Sequence, residues 1–492
     1  MIDLAAILAG IGVAAALLAR SPRGLNLGLA LTLAGAAWLA ASTLSGDALP
    51  SISPLLIALL TVGLLGLALA TWVLVRWPVA ILPALLLAAP LRLPVAADPS
   101  SPLLFEFVQG GGLGRLYPLY AVLLPALCAT VWRCGRGITP FGPLPRAIAV
   151  PAAGLLALAA LSIVWTFEPA ATADLLIFFW LPFVLLFTIA ARTPLDRSAG
   201  RLLAGILIAG GSLFALLGIW QAITEDLLFY TEELAIVNRS GPLFRVTGIF
   251  QDPSHFGRYL AIAIVLVFVL LWLDRLRLAW GVALTALLGA GLFFSYSQSS
   301  MVALVIAVLA VALLLGDPSA KRVAAALCVV ALIGAVAATI VLAGDDRLGD
   351  ITRSRARLAL DTAAVAWAHP IIGVGLGAQP AVTRTEQGSG LNEERNVSHT
   401  TPLTVAAELG ALGLGLYIAL LAGAVAALRR IGTERRGLAA ALGTVLLALF
   451  AHSLLYAGFF DNPLVWGTLG LTAGAATSLG ARSAGLTTGA AR

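Results

Sequence analysis

The chain has 492 residues, 60% hydrophobic and 11% charged, with 30 Lys and Arg against 24 Asp and Glu for a net charge of +6. A soluble domain carries about 25% charged residues, which excludes a cytosolic enzyme, a disordered chain, a coiled coil and a secreted disulfide scaffold. The apolar runs are continuous rather than short and alternating, so an outer-membrane barrel is excluded as well, and a polytopic α-helical membrane protein remains.

The first apolar run, 4–19, follows Met1-Ile2-Asp3 with no basic region ahead of it, and reads as a span rather than a cleavable signal. At about 20 residues per crossing, further spans are expected at 25–44, 52–75, 78–91, 116–131, 147–165, 171–190, 202–223, 254–273, 278–294, 300–315, 323–343, 402–427, 438–457 and 463–480. The run at 78–91 is short and interrupted by Pro83 and Pro90, so a re-entrant segment is the alternative there. The expectation is an all-α bundle of about 12–15 transmembrane helices, one transmembrane domain over 1–492. Cys128, Cys134 and Cys328 lie in or beside apolar runs or in a short basic loop without CxxC spacing, and read as inert.

Most Lys and Arg, among them Arg20, Arg76, Arg133, Arg192, Arg275, Arg429 and Arg435, fall in one set of short loops. The positive-inside rule turns those loops to the cytoplasm. Alternation then puts the C-terminus inside, the N-terminus outside if every span is real, and the polar segments 92–115, 224–253 and 344–401 outside. Loops beyond about 15 residues without a domain of their own are usually functional, so function is sought on that face. The sequence shows no internal repeat and no inverted pair of broken helices, which weakens a transporter reading.

Three outer segments run into helices. Residues 245–258 lead into one through Asp252 as N-cap and Pro253 as first residue. That places His255 and Arg258 on its first turn at the positive dipole end. With Arg245 nearby this is a candidate anion site, the alternative being that Arg258 snorkels to lipid headgroups.

In 344–401, Arg347, Arg353, Arg355 and Arg357 stand against Asp345, Asp346, Asp350 and Asp361. Helical spacing of Ile351, Leu358, Thr362 and Val365 predicts an amphipathic helix over 351–368. Its arginines are candidates for lipid headgroups or for a phosphorylated substrate. The glycine run after His369-Pro370 lacks a strand–turn–helix context and reads as a close-packing turn rather than a phosphate loop.

The next helix is expected to start with Thr401 as cap and Pro402 as first residue, leaving His399 at the water boundary. An imidazole there suits proton abstraction, though a lone exposed histidine is often incidental. Glu408 lies about 10 Å deeper on that helix, where a carboxylate is costly and so by default carries a function or a partner. Asp461-Asn462-Pro463 repeats the cap–proline device, with His452 and Tyr456 just before it. His452 reads as a hydrogen-bonding residue inside the bundle. No histidines or acids in the outer segments have metal-ligand spacing.

These features resemble the O-antigen ligase and polymerase superfamily of bacterial membrane glycosyltransferases. The matching pieces are Arg245-x-x-Gly-Ile-Phe-x-x-Pro, Ser297-Gln-Ser-Ser before a span, Arg357 ahead of the Pro-Ile-Ile-Gly-Val-Gly turn, and His399-x-x-x-Leu-x-x-x-x-Glu408-x-Gly. They cover roughly 205–475, while residues 1–200 match only as generic spans. The family often has Ser-Arg where this chain has Ser297-Gln298 and His-Asn where it has His399-Thr400. The first departure removes a candidate arginine, and the second bears on the substrate.

The resemblance implies a GT-C-like fold and a glycosyltransferase on the outer face of the plasma (inner) membrane, inverting, metal-independent and without cofactor. The donor would be a glycan on undecaprenyl diphosphate. The acceptor would be a hydroxyl of lipid A–core in a ligase, or of another lipid-linked glycan in a polymerase. His399 would act as base, with Glu408 orienting it or holding its helix. Arg245 and Arg357, with Arg258 and His255, would bind the diphosphate. A transporter or flippase and a non-catalytic scaffold are the other readings. The concentration of polar residues near the outer helix ends, rather than through the full membrane depth, favours the enzyme.

Overall fold

A computed structural model describes residues 1–43, 54–97, 105–107, 113–139, 141–240, 243–323, 326, 349–387 and 398–483. Apart from residues 323 and 326, the expected span at 323–343 lies outside the described residues, as do Cys328, Asp345, Asp346 and Arg347.

The described chain is a helical bundle, and every other expected span is helical. In chain order these are α1 (Ile2–Leu17), α2 (Pro22–Thr43), α3 (Pro54–Arg76), α4 (Ile81–Ala88), α5 (Tyr117–Gly135) and α6 (Arg146–Leu161). Then come α7 (Pro169–Leu175), joined through a π turn to α8 (Leu181–Arg192), and α9 (Arg197–Thr224), α10 (Glu232–Ser240), α11 (Pro253–Trp272), α12 (Leu278–Ser295) and α13 (Gln298–Leu315). The last are α14 (Gly349–Ala368), α15 (Gln379–Gln387), α16 (Thr401–Glu434), α17 (Arg436–Ser453) and α18 (Pro463–Ser483). Eleven helices among the described residues are long and apolar enough to cross a membrane. A hairpin pairing Val95–Ala97 with Phe105–Phe107 is the only sheet among the described residues.

The 78–91 run resolves as a crossing. A 3-10 turn at Pro78–Ala80 and α4 together supply only about 18 Å of helix, short of the roughly 30 Å hydrocarbon layer. Its ends are nonetheless at opposite ends of the bundle. The carbonyl of Val75 accepts from Arg133 at the end of α5 (3.2 Å), whereas Arg92 lies beside the start of α11. Non-helical residues after Ala88 make up the distance.

α11 is the central helix, with 72% of its apolar window buried, against 6% for the peripheral α3. It packs on α9, α12, α13 and α17. The segment between α17 and α18 is pinned by aromatic rings: Phe460 lies 5.0 Å from Trp180 and 5.3 Å from Tyr417, and the Trp466 indole donates to the Phe460 carbonyl at 2.8 Å.

The predicted amphipathic helix is α14, with Thr362 and Val365 buried and Leu360 and Trp367 exposed. The glycine turn after it is spliced into α16. At Gly410 the backbone leaves helical geometry (φ 65°, ψ −166°). The amides of Ala411 and Leu412 donate to the carbonyls of Pro370 (2.8 Å) and Ile371 (3.3 Å), and those of Val374 and Gly375 donate to Ala407 (3.0 Å) and Glu408 (2.9 Å). The four groups freed in the helix ladder are the ones the turn satisfies, which is how a broken helix persists inside an apolar bundle.

Only glycine populates the Gly410 conformation comfortably, and a Cβ there would sit 2.2 Å from the Ile371 carbonyl oxygen. Gly410→Ala is therefore expected to cost at least about 1–3 kcal/mol and to lower the melting temperature in detergent. Gly415→Ala on the same helix, where a Cβ meets nothing within 4 Å, should leave it unchanged or raised. Equal melting of the two variants would contradict this account of the break.

Candidate functional site

Asp252 caps α11 as its position predicts, with Oδ1 accepting from the amides of Ser254 (2.6 Å) and His255 (3.3 Å). Its second oxygen accepts the Tyr456 hydroxyl at 2.8 Å. One carboxylate thus ties the first turn of α11 to the segment after α17. Around the Tyr456 ring gather three of the chain's four histidines: His452 at 5.5 Å, His255 at 5.7 Å and His399 at 6.1 Å between ring centroids. The fourth, His369, packs edge-on against Phe167 at 5.7 Å.

The serine run before α13 forms the floor. Ser297 caps α13, its hydroxyl accepting from the Ser300 amide at 3.4 Å. The Ser300 hydroxyl donates to the Ser254 carbonyl (3.3 Å), and Ser299 bonds His452 Nε2 (3.2 Å). His452 is fully buried and acts as the internal hydrogen-bonding residue its sequence context suggests.

His399 is half-buried just before α16. The start of that helix differs from expectation. Thr400, not Thr401, occupies the N-cap position, and its hydroxyl donates to the Leu454 carbonyl (3.2 Å) instead of capping. Joining α16 to the Tyr456 segment takes the hydroxyl that a local cap would have used.

Arg92, His255, Arg258, Asp461 and Asn462, with Phe250, Gln251 and Tyr259, line a pocket of about 60 Å³ at this end of the bundle. Asn462 caps α18 by accepting from the Leu464 amide at 3.0 Å, which leaves Asp461 to the pocket, within electrostatic reach of Arg258. Enclosure pushes Asp461 up to about 6, with the Arg258 charge pulling the other way. Enclosure would also raise Asp252, but its neighbour His255, the Tyr456 hydroxyl and the two capping amides outweigh it and hold that carboxyl below the usual range. Two guanidiniums and a helix N-terminus face one partly protonated carboxyl, so the pocket is suited to an anion.

Arg245 borders this cluster. Its charge reaches Tyr456, its Nε donates to the Ser295 carbonyl at 3.4 Å, and the Asn238 side chain brackets its backbone at 3.0 and 3.1 Å. The turn after it is clamped by buried Gln221, which accepts from the amides of Thr247 (3.2 Å) and Gly248 (2.7 Å) and donates to the Gly248 carbonyl (3.0 Å).

Glu408 is buried in α16 and accepts from the backbone amides of Gly377 and Gln379. Those contacts tie it to the glycine turn and the start of α15. Arg357 is not brought to the cluster. Its side chain is 70% exposed on α14 and pairs with Asp361 at 3.8 Å, one turn along the same helix.

Arg92, Tyr456, Asp461 and Gln221 join the site or its frame without having been singled out as site residues. Tyr456 and Asp461 could have been found from their places around the last cap–proline pair. Arg92 and Gln221 carry no local signal, because only folding brings them to α11. No three His, Cys, Asp or Glu side chains gather to hold a metal among the described residues.

One family model matches part of the chain. Residues 283–418 match the O-antigen ligase family model. That match supports the O-antigen ligase and polymerase superfamily. The matched segment runs from α12 through the serine floor, α14, the spliced turn and His399 into α16, and the family's chemistry is glycosyl transfer in a membrane. No curated protein matches the chain.

Two measurements probe the site's electrostatics. Asp461 binds its proton more tightly folded than unfolded, so its contribution to stability falls as pH rises from about 4 through about 6 and is level above. Asp461→Asn should flatten that part of the melting-temperature profile, and parallel profiles between pH 4 and 7 would show that Asp461 is not held protonated. Tyr456→Phe leaves an Asp252 oxygen without its donor and should cost about 1–3 kcal/mol in thermal unfolding; an unchanged melting temperature would remove Tyr456 as a structural tie.

Proposed function

We propose that this protein transfers a glycan from an undecaprenyl-diphosphate carrier to an acceptor hydroxyl, on the outer face of the plasma membrane, in the manner of an O-antigen ligase. The observation that carries the reading is one half-buried cluster that combines an imidazole just before one helix with the Arg258 guanidinium on the first turn of another and Arg92 beside it. The match of residues 283–418 to the O-antigen ligase family model supports the substrate class.

In this reading His399 takes the proton of the acceptor hydroxyl as its oxygen bonds to the anomeric carbon of the donor sugar. The bond from that carbon to the diphosphate breaks with inversion, and the lipid diphosphate leaves with the electron pair. A diphosphate leaving group needs stabilisation of its developing charge more than a strong acid. Arg258 and Arg92 supply it at the mouth of α11, with Arg245 at the rim and His255 on the pocket wall. This assignment fills the gap left by Gln298, where the family often has arginine, with cations from other elements. Arg357 belongs to the surface of α14, and Glu408 holds the helix on which His399 is mounted.

His399→Ala should lower the turnover of glycan transfer from a lipid-linked donor by about 10²–10⁴-fold, the usual range for losing a general base, with donor affinity little changed. Arg258→Ala should do the reverse and weaken donor binding first. Transfer unimpaired by His399→Ala would remove the base from this scheme.

A further inference from the structure

His399 stands ahead of the helix it leads into, so the hydrogen-bond ladder of α16 does not set its direction. Bonds to its two chain neighbours do. The Thr400 hydroxyl donates to the Leu454 carbonyl (3.2 Å), the Thr400 amide to the Ser398 hydroxyl (3.3 Å), and the Ser398 amide to Oε1 of Gln379 (3.2 Å). Gln379 is fully buried at the first residue of α15. Its Nε2 donates to the hydroxyl oxygens of Thr383 (2.8 Å) and of Thr362 on α14 (3.4 Å), and its backbone amide donates to the Glu408 carboxylate. One side chain thus joins α14, α15 and the residue next to His399, while its backbone is held by the helix that follows His399.

We infer that Gln379 is a positioning residue for His399, and that its side-chain amide fixes where the imidazole stands beside the Tyr456 ring. The two ends of that amide cannot exchange roles. A backbone N–H only donates, so Ser398 requires the carbonyl oxygen, and the nitrogen is left to the threonines. Thr362 suits it, because its hydroxyl already donates to the Leu358 carbonyl (2.7 Å) and its oxygen is left to accept. A side chain of the same volume without the amide would leave the buried Ser398 amide lacking its acceptor, a cost relieved by moving that residue. His399 is the next residue, so the displacement reaches the imidazole directly. The start of α16 would stay in place, held by the Thr400 bond to Leu454 and by Glu408. What His399 does in catalysis rests on the glycan-transfer reading, whereas where its ring is held does not.

The test compares Gln379→Met, which keeps the volume and removes the amide, with Thr383→Val, which removes a partner of Nε2 but leaves the oxygen facing Ser398. Gln379→Met should lower kcat for glycan transfer about 10–100-fold, the scale of a misplaced catalytic group, with KM for the lipid-linked donor unchanged. Thr383→Val should leave both constants unchanged even where it melts lower. Equal losses in the two variants, or a loss carried by KM, overturn the inference. A second readout needs no turnover. His399 is one of four histidines, so in NMR of histidine-labelled protein its ring signal is assigned by its absence in His399→Ala. Gln379→Met should shift that signal and leave those of His255 and His452, which stand on other elements, in place; an unmoved His399 signal overturns the inference. If Gln379→Met does not fold, hydrogen exchange of the wild type decides. A Ser398 amide as protected as those in the first turns of α16 supports the bond to Gln379, and one exchanging like an unstructured chain overturns it. Transfer lost in His399→Ala but unimpaired in Gln379→Met, with the signal unmoved, would refute this inference alone. A His399 signal shifted by Gln379→Met in a protein whose transfer survives His399→Ala would refute the transfer reading alone.

Discussion

The Asp252 carboxylate is the joint on which the site depends. One oxygen closes the N-terminus of α11 and the other receives Tyr456. The first bond is local and sets the direction in which His255 and Arg258 project. The second is long-range, spanning 204 residues, and sets where the segment after α17 lies. Because Tyr456 is the ring around which His255, His399 and His452 gather, loosening that joint would let the imidazoles and the guanidiniums drift apart. A capping carboxylate is well suited to the task, since it has a second acceptor oxygen to spare once the helix amides are satisfied.

The same economy of hydrogen bonds recurs through the bundle. An apolar surrounding penalises every unmet backbone group, and three departures from helix near the site have those groups met by side chains or by another turn. The break at Gly410 is completed by the turn after His369. The turn after Arg245 is completed by Gln221. The start of α13 is completed by its own serine, and the neighbouring serines tie it to α11 and α17. Each irregular segment lies beside the candidate site or supports a residue within it. Irregular backbone and polar side chains are concentrated where an anion and a hydroxyl would meet.

The legible and illegible parts of the site divide along one line. The cap at Asp252 and the placement of His399 ahead of a helix follow from short-range chemistry and were readable. The Thr400 position was misread because its hydroxyl serves a distant carbonyl, and no local rule could anticipate that competition. Arginines were the least readable. Arg92, Arg245, Arg258 and Arg357 all stand in or beside polar segments, yet three gather about α11 and the fourth rests on a helix surface with Asp361.

By itself the sequence determined the membrane class, the helical spans and most helix starts, because these follow from apolar run length, caps and prolines, which act within a few residues of one another. The tertiary structure alone decided that 78–91 crosses, that Glu408 serves a turn, and that Arg92 and Asp461 belong to the pocket. Those facts depend on which helix ends meet, and that meeting is set by packing between segments hundreds of residues apart, which no local pattern encodes.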